Sequence, residues 1–119
     1  MVRKTEVVYK EDVRGGKGKI EFRHICPKEE LLGHAAMFAH LILEPHASIG
    51  THQHVHNTEP YYILKGNGVF VDNDGSRTEI HAGDVCTIEV GQSHSLENTS
   101  DEPMELIALV VNEKGLMTE

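Results

Sequence analysis

Short stretches in which apolar and polar residues alternate recur along this chain, and many of them are rich in valine, isoleucine and threonine. Such stretches, separated by glycine, proline, asparagine and aspartate, are typical of the strands of a β-sandwich or β-barrel. Residues 27–32 alone favour a helical turn. The sequence therefore predicts an all-β fold, with strands at about 5–9, 18–25, 36–44, 47–54, 59–65, 68–72, 77–81, 85–90, 93–98 and 104–111.

The segments between these strands contain the residues that turns require. Residues 66–68, 72–75 and 82–84 combine glycine with asparagine or aspartate. These residues tolerate the positive φ of tight hairpins, so each segment is predicted to be a hairpin turn. Residues 45–50, which begin with proline and end with glycine, are predicted to form a corner.

Two of the predicted strands, 59–65 and 104–111, carry apolar side chains on both faces and are expected to be covered on both sides. So many strands in one small domain need closure into a barrel or a packed double sheet, because an open sheet would expose long apolar edges. The polar segment 112–119 is predicted to fray.

Composition limits the possible partners. The 119 residues correspond to one domain that can bury a core without disulfides or a structural metal. A net charge of -8 with no cluster of basic residues argues against a nucleic acid or an anionic membrane as the main partner. No apolar run approaches the roughly 18 residues that span a bilayer, and the polar N-terminus does not resemble a signal peptide. We therefore expect a cytoplasmic protein in which Cys26 and Cys86, far apart in sequence, are reduced thiols.

The densest chemical signal is a group of histidines at alternate positions followed by a glutamate. Alternate residues of a strand point the same way, so His52 and His54 can present two imidazoles to one point. A short turn would bring Glu59 back beside them, and His94, after a predicted turn at Gly91, is the candidate fourth ligand. The five other histidines outside this region are interpreted as exposed or hydrogen-bonded residues without a metal: His24, His34, His40, His46 and His81.

From Gly50 to Asn98 the chain resembles the cupin family. The first cupin motif is His-x-His, three or four residues, Glu, six residues and Gly; the second is Gly, five residues, Pro-x-Gly, two residues, His, three residues and Asn. The matching residues are His52, His54, Glu59 and Gly66 in the first motif, and Gly83, Gly91, His94 and Asn98 in the second. The departures are Glu89 in place of proline and His46 in place of the glycine that opens the first motif, and both concern turns.

The resemblance implies one double-stranded β-helix, the jelly-roll barrel of cupins, over residues 1–119, with an N-terminal arm at about 1–18 and the two motifs at about 50–66 and 83–98. It implies one divalent transition metal held by His52, His54, Glu59 and His94, and a homodimer in which N-terminal strands pair across subunits. His56 remains a competing ligand because it shares the parity of His54. Three imidazoles and a carboxylate suit Mn, Fe, Co, Ni, Cu or Zn, with Mn or Fe favoured, and an octahedral ion would keep two positions open.

Two functions remain open for such a site. One is a small metalloenzyme, a dioxygenase, decarboxylase, lyase or isomerase that acts on a chelating carboxylate or carbonyl compound. By strand parity Tyr61 shares the inward face of Glu59 and is the candidate proton donor, with a core aromatic as the alternative. Gln53 and His56 could serve from the mouth of the barrel. The expected apolar substrate-binding residues, taken from parity and the cupin layout, are Ile49, Leu106 and Ala108.

Oxalate decarboxylases of this family carry an arginine three residues before the first ligand histidine and a glutamate on a flexible lid. Here Ile49 occupies the arginine position and no insertion suggests a lid, so the sequence does not support oxalate decarboxylation. The other function is a non-catalytic module that binds a metal or small ligand as a sensor or store, and fold alone does not separate the two. A barrel that has lost its metal is a third interpretation, in which His52→Ala would change neither ligand binding nor thermal stability.

Overall fold

The computed structural model describes residues 1–114, and within them nearly all regular secondary structure is β-strand. The all-β prediction is confirmed. The strands are β1 (Glu6–Glu11), β2 (Lys19–His24), β3 (Ala35–Leu43), β4 (Ser48–Gln53), β5 (Asn57–Thr58), β6 (Tyr61–Lys65), β7 (Asn67–Val71), β8 (Arg77–His81), β9 (Val85–Cys86), β10 (Ser93–Glu97) and β11 (Met104–Asn112). Two single 3-10 turns, Val13–Gly15 and Lys28–Leu31, complete the described elements, and the second lies where the helical turn was predicted.

The strands form two sheets that share one core. A seven-stranded sheet has the order β1-β2-β3-β11-β6-β9, with β5 paired to β11, and a four-stranded sheet has the order β4-β10-β7-β8. Inward side chains of both sheets meet in a single apolar cluster that includes Leu41 and Ile63 from the first sheet and Phe70 and Leu96 from the second. Burial of this apolar surface is the main force that holds the sheets together.

Two of the three predicted hairpins are wrong. The chain has a positive φ at Gly66 and Gly83, as expected, but these residues join strands of different sheets: β6 to β7 and β8 to β9. Of the three predicted segments, only residues 72–75 form a hairpin, which joins the paired strands β7 and β8. Turn chemistry is the same for a hairpin and for a crossing between sheets, so the local sequence does not distinguish them.

The prediction that strand 59–65 is covered on both faces is also wrong within this chain. Tyr62 and Leu64 are 48% and 41% exposed, whereas Tyr61 and Ile63 on the opposite face are buried. Along β11 the residues from Met104 to Val110 alternate between buried and half-buried positions. Each strand therefore has one core face and one outer face that is at least partly open.

Several details of the strands differ from the prediction. The strand expected at 85–90 is limited to Val85–Cys86, and the two-residue strand Asn57–Thr58 was not predicted. Asn112, predicted to fray, ends β11 and donates from Nδ2 to the Gly33 carbonyl at 2.8 Å. Residues 115–119 of the predicted frayed segment lie outside the described part of the chain.

Both cysteines are free thiols, with Cys86 in the core and Cys26 half-buried. Burial raises the pKa of the Cys86 thiol to about 11. In the described part of the chain, no helix has the length and hydropathy needed to cross a membrane.

Candidate metal centre

Two neighbouring strands of the smaller sheet position the three histidines. His52 lies on β4 and pairs in register with His94 on β10, and His54 follows β4 directly. His52 and His54 are two residues apart and both face inward, as the alternation of a strand requires. The cross-strand pair then adds the third imidazole to the same face.

A β-bulge on β4 brings Ile49 to this inner face as well. The β4–β10 register passes from Ile49↔Leu96 to His52↔His94, so three steps on β4 match two on β10. Without the extra residue, Ile49 and His52 would point to opposite faces, because they are three positions apart on the strand. Ile49 lines the candidate site because of this bulge. The prediction of Ile49 from strand parity did not include a bulge.

The donor atoms of four residues converge on one point. The Nε2 atoms of His52, His54 and His94 lie 3.1, 3.0 and 3.2 Å from one another. Oε1 of Glu59 lies 3.0 Å from Nε2 of His54, 3.3 Å from that of His94 and 3.8 Å from that of His52. The structure thus brings together the four residues predicted as metal ligands.

Hydrogen bonds on the far side of two rings orient them. Nδ1 of His52 lies 2.8 Å from the Gly50 carbonyl, and Nδ1 of His54 lies 2.6 Å from Oδ1 of Asn57. Both oxygens accept, so each Nδ1 carries the proton and each Nε2 presents a lone pair to the centre. Nδ1 of His94 is buried, and no hydrogen-bond partner for it lies among residues 1–114.

Glu59 supplies a buried negative charge to this group of imidazoles. Its side chain is 6% exposed. Burial alone would raise the pKa of Glu59, but its close contacts with the three imidazoles, which stabilise the ionised carboxylate, outweigh burial and hold that pKa well below its usual range. The same carboxylate raises the pKa of His54 against the effect of burial, whereas burial dominates at His94 and lowers its pKa.

Tyr61 lies directly against the cluster. Its ring stacks on that of His94, with centroids 5.2 Å apart, and its hydroxyl is 3.5 Å from Nε2 of His94. Phe70 makes edge-to-face contacts with both rings. Burial, with the nearby Glu59 charge, raises the pKa of Tyr61 well above its usual value, so the hydroxyl keeps its proton. The residue is therefore both a core aromatic and a proton-bearing group at the site.

A cavity of about 450 Å³ leads to these residues. Its lining includes Ile49, Gln53 and Tyr61, three of the residues predicted for substrate or catalysis. Leu106 and Ala108, predicted beside them, are fully buried in the core and do not line the cavity. Leu106, Ala108 and Val110 lie on the same inward face of β11, and of these three only Val110 lines the cavity.

His56, which the sequence left open as a competing ligand, is not part of the cluster. The strand ends at Gln53, and His56 has a φ of 63°, so the parity of β4 no longer applies to it. Its Nδ1 lies 2.9 Å from a carboxylate oxygen of Glu113 at the surface. The histidines that were set aside in the sequence also lie outside the four-residue group.

The sequence did not reveal two residues that the structure places at the site. Asn57 orients His54, and its position three residues after that ligand was the only local signal. Arg14 lines the cavity although it precedes the first motif by more than thirty residues. No pattern around Arg14 predicts this contact, because it depends on how the N-terminal segment folds over β4.

The donor set fits a divalent transition metal. Adjacent ligands of an octahedral ion with bonds of about 2.1 Å lie about 3.0 Å apart, whereas those of a tetrahedral ion lie about 3.4 Å apart. The separations of 3.0 to 3.2 Å between the imidazole nitrogens match the octahedral spacing. A cation would also accept the three converging lone pairs and compensate the buried carboxylate.

Comparison with known proteins agrees with this geometry. The family model described as a cupin domain matches residues 39–111. The oxalate-binding protein of Thermotoga maritima is 42% identical over 113 residues, which cover 93% of this chain and 93% of that protein.

Two solved structures are similar to the whole fold. The crystal structure of a predicted oxalate decarboxylase from Thermotoga maritima has a TM-score of 0.89 and 41% identity, covering 94% of this chain and 98% of that one. A Cupin 2 conserved barrel domain protein from Salinispora arenicola has a TM-score of 0.74 and 21% identity, covering 99% and 92%. The expected double-stranded β-helix is confirmed.

Proposed function

This chain belongs to the cupin family, and we propose that it binds one divalent transition-metal ion through His52, His54, Glu59 and His94 and uses that ion to hold a small chelating carboxylate. The observation that carries the proposal is the convergence of three Nε2 atoms and one buried carboxylate oxygen on one point beside a cavity. Four donors fill four of the six positions of an octahedral ion and leave two for a chelating ligand.

Mn(II) or Fe(II) is the proposed metal. Both ions accept nitrogen and oxygen donors in octahedral geometry, and the site contains no thiolate that would favour a softer ion. Elemental analysis of protein purified without chelators or a histidine tag tests this assignment. About one equivalent of Mn or Fe is expected, and the His52→Ala/His94→Ala variant should contain none.

Oxalate is the proposed ligand on two grounds. It chelates a metal through one oxygen of each carboxylate, which suits an ion with two open positions. The oxalate-binding protein of Thermotoga maritima, at 42% identity over 93% of both chains, is the second support. The cavity of about 450 Å³ lies within the range of small-molecule pockets.

The proposal also includes catalysis at this site. When bound, the metal would polarise a carboxylate or carbonyl oxygen. Tyr61 can hold a proton beside that position, since its hydroxyl lies 3.5 Å from a proposed ligand nitrogen and its raised pKa keeps it protonated. The expected reaction class is decarboxylation, oxygenation, lyase or isomerase chemistry on a chelating substrate.

A binding protein without turnover is the second candidate, favoured by the apolar Ile49 in the cavity wall and by the similarity to the oxalate-binding protein of Thermotoga maritima. The two candidates separate in one experiment. Metal-loaded protein is titrated with oxalate by calorimetry, and the mixture is then assayed for formate and carbon dioxide. Binding with product supports an enzyme, binding without product supports a binding module, and absence of binding by metal-loaded protein contradicts oxalate as the ligand.

We also propose a homodimer. Val7 and Tyr9 on the edge strand β1 are 43% and 59% exposed, and an edge strand with exposed apolar side chains favours pairing with a second copy. Sedimentation equilibrium should give twice the chain mass of 13.2 kDa. A monomer at micromolar concentration would contradict this proposal and would leave the metal proposal intact.

A further inference from the structure

The loop between β1 and β2 brings a cationic side chain to the cavity that leads to the proposed metal ligands. Arg14 lines that cavity together with His52, His54, Glu59 and Tyr61. The loop closes on itself, because the Asp12 amide donates to the Gly18 carbonyl at 3.0 Å and the Gly18 amide donates to Oδ1 of Asp12 at 3.2 Å. Arg14 itself has a φ of 56°, a left-handed conformation that is uncommon for a residue with a side chain.

Close backbone packing fixes this loop on β4. A Cβ atom at Gly16 would lie 2.1 Å from the Ser48 carbonyl oxygen, and one at Gly50 would lie 2.1 Å from the Arg14 carbonyl oxygen. The Ser48 amide donates to the Lys17 carbonyl at 2.8 Å, and the Lys17 amide donates to Oγ of Ser48 at 3.0 Å. Gly50 belongs to the bulge between Ile49 and His52, so the loop packs on the same stretch of β4 that carries this metal ligand.

The guanidinium of Arg14 differs from the other arginines of the chain. Arg3 pairs with Glu30, Arg23 with Glu21 and Arg77 with Glu97. Within residues 1–114, no ion pair or side-chain hydrogen bond occupies Arg14, although the chain has 19 acidic residues against 11 basic ones. A guanidinium presents a fork of N–H donors that matches a carboxylate, and this one is left available at the cavity.

We propose that Arg14 binds the carboxylate oxygens of the ligand that the metal does not coordinate, and that it thereby selects dicarboxylates over monocarboxylates. This inference rests on the proposed function, because it places the ligand on the metal of the four-residue site. Oxalate chelated through one oxygen of each carboxylate has two further oxygens, and Arg14 supplies donors for them. A monocarboxylate such as acetate has no second carboxylate for the guanidinium to bind.

The surroundings of Arg14 agree with this assignment. Ile49 and Val13 line the same cavity and offer no polar group, and the Lys and Arg side chains in its lining are those of Lys10 and Arg14. Lys10 also lines the cavity, and its ammonium lies 5.1 Å from the centre of the Phe22 ring. Although burial raises the pKa of Tyr61, the positive charge of Arg14 acts in the opposite direction, which is consistent with its facing the site.

The test compares Arg14→Gln with Lys17→Ala, a variant that removes one positive charge from the same loop at a residue that does not line this cavity. Each Mn-loaded protein is titrated with oxalate and with acetate by calorimetry, and its metal content is measured in parallel. Arg14→Gln should weaken oxalate binding about 10- to 100-fold, the range expected for loss of a charged hydrogen-bond partner. Acetate binding and metal content should stay as in the wild type, and Lys17→Ala should behave as the wild type throughout.

The titrations distinguish a failure of the proposed role of Arg14 from a failure of the proposed function. If the wild-type protein binds no metal, or binds metal and no oxalate, the proposed function is wrong. If the wild type binds oxalate and Arg14→Gln binds it equally well, the function stands and the role of Arg14 is wrong. Equal losses in Arg14→Gln and Lys17→Ala would also contradict that role, because they would reflect overall charge. Arg14→Lys, which keeps the charge without the fork, should recover only part of the affinity.

Discussion

Nδ1 of His54 donates to Oδ1 of Asn57 across 2.6 Å, and this contact determines which ring nitrogen faces the proposed metal. With the proton held on Nδ1, the lone pair is on Nε2, which lies 3.0 Å from Oε1 of Glu59. Asn57 begins β5, the short strand that pairs with the end of β11. The orientation of a ligand from β4 therefore depends on pairing in the other sheet.

Asn57→Ala should lower metal affinity about 10- to 100-fold, because loss of such a partner frees the ring and its tautomer. Competition with a chelator of known affinity measures the change, and circular dichroism checks the fold. Asn67→Ala is the matched control, since Asn67 is exposed at the start of β7 and does not line the cavity. Unchanged metal affinity in Asn57→Ala would show that the hydrogen bond does not orient the ligand.

Most of the metal site could be predicted because its ligands follow local rules. Strand alternation placed His52 and His54 together, and motif spacing indicated Glu59 and His94. Alternation failed at His56 because β4 ends at Gln53, before that residue. It did not by itself account for Ile49, because a bulge interrupts the strand between Ile49 and His52. A bulge is one extra residue in a pairing, so it is visible only once the partner strand is known.

Metal affinity should fall as the pH drops through the pKa of His54. The Glu59 carboxylate accepts a hydrogen bond from the protonated His54 ring and so raises that pKa above its ordinary value of 6.5, which means that protons already compete with metal above this pH. Glu59 stays ionised because its pKa is lowered, and the lowered pKa of His94 keeps that ring neutral to lower pH.

Affinity should decrease about tenfold per pH unit for each imidazole proton that the metal displaces. Chelator competition at a series of pH values measures the slope. Constant affinity from about pH 8 down to about pH 5 would contradict imidazole coordination.

Glu59→Gln should abolish the thermal stabilisation that metal gives to the wild type. The amide has the shape of the carboxylate but no charge to balance the cation. At a free metal concentration of about 100 times Kd, binding stabilises the folded wild type by about 2.7 kcal/mol. For a chain of this size that corresponds to a rise in Tm of roughly 10 °C.

Scanning calorimetry with and without Mn(II) measures both proteins. Glu79→Gln is the control, because Glu79 is exposed on β8 and is not among the four proposed ligands. An equal rise in Tm for wild type and Glu59→Gln would remove Glu59 from the ligand set.

Tyr61→Phe separates the hydroxyl of this residue from its ring. The phenylalanine ring keeps the stack on His94, with its 5.2 Å centroid separation, so metal content and Tm should remain close to those of the wild type. If the protein turns over oxalate or another chelating acid, turnover should be lost with the proton donor. Tyr62→Phe is the matched control, since Tyr62 faces outward and is 48% exposed. Full turnover by Tyr61→Phe would leave the residue a purely structural role.

The fold class was predictable and the connections between sheets were not. Short β-branched runs between turn residues predict strands whichever sheet the strands join. The strands on either side of Gly66 were therefore predicted correctly, but their connection was predicted as a hairpin and instead crosses between the sheets. The position of Arg14 at the site could not be predicted from the sequence for the same reason. Its place at the cavity depends on contact between Gly16 and the bulge at Gly50, two segments far apart in sequence.

Gly16→Ala should weaken oxalate binding as Arg14→Gln does, without removing the guanidinium. Gly16 has a φ of -77°, which alanine adopts without strain, so the effect comes from the added Cβ atom, 2.1 Å from the Ser48 carbonyl oxygen. Relief of that clash moves the loop away from β4 and carries Arg14 out of the cavity. Calorimetry should show the oxalate loss with metal content retained, and Gly75→Ala, which strains a turn with a φ of 85° outside the cavity lining, should bind oxalate normally. A folded Gly16→Ala protein with wild-type oxalate affinity would mean that this packing does not position Arg14.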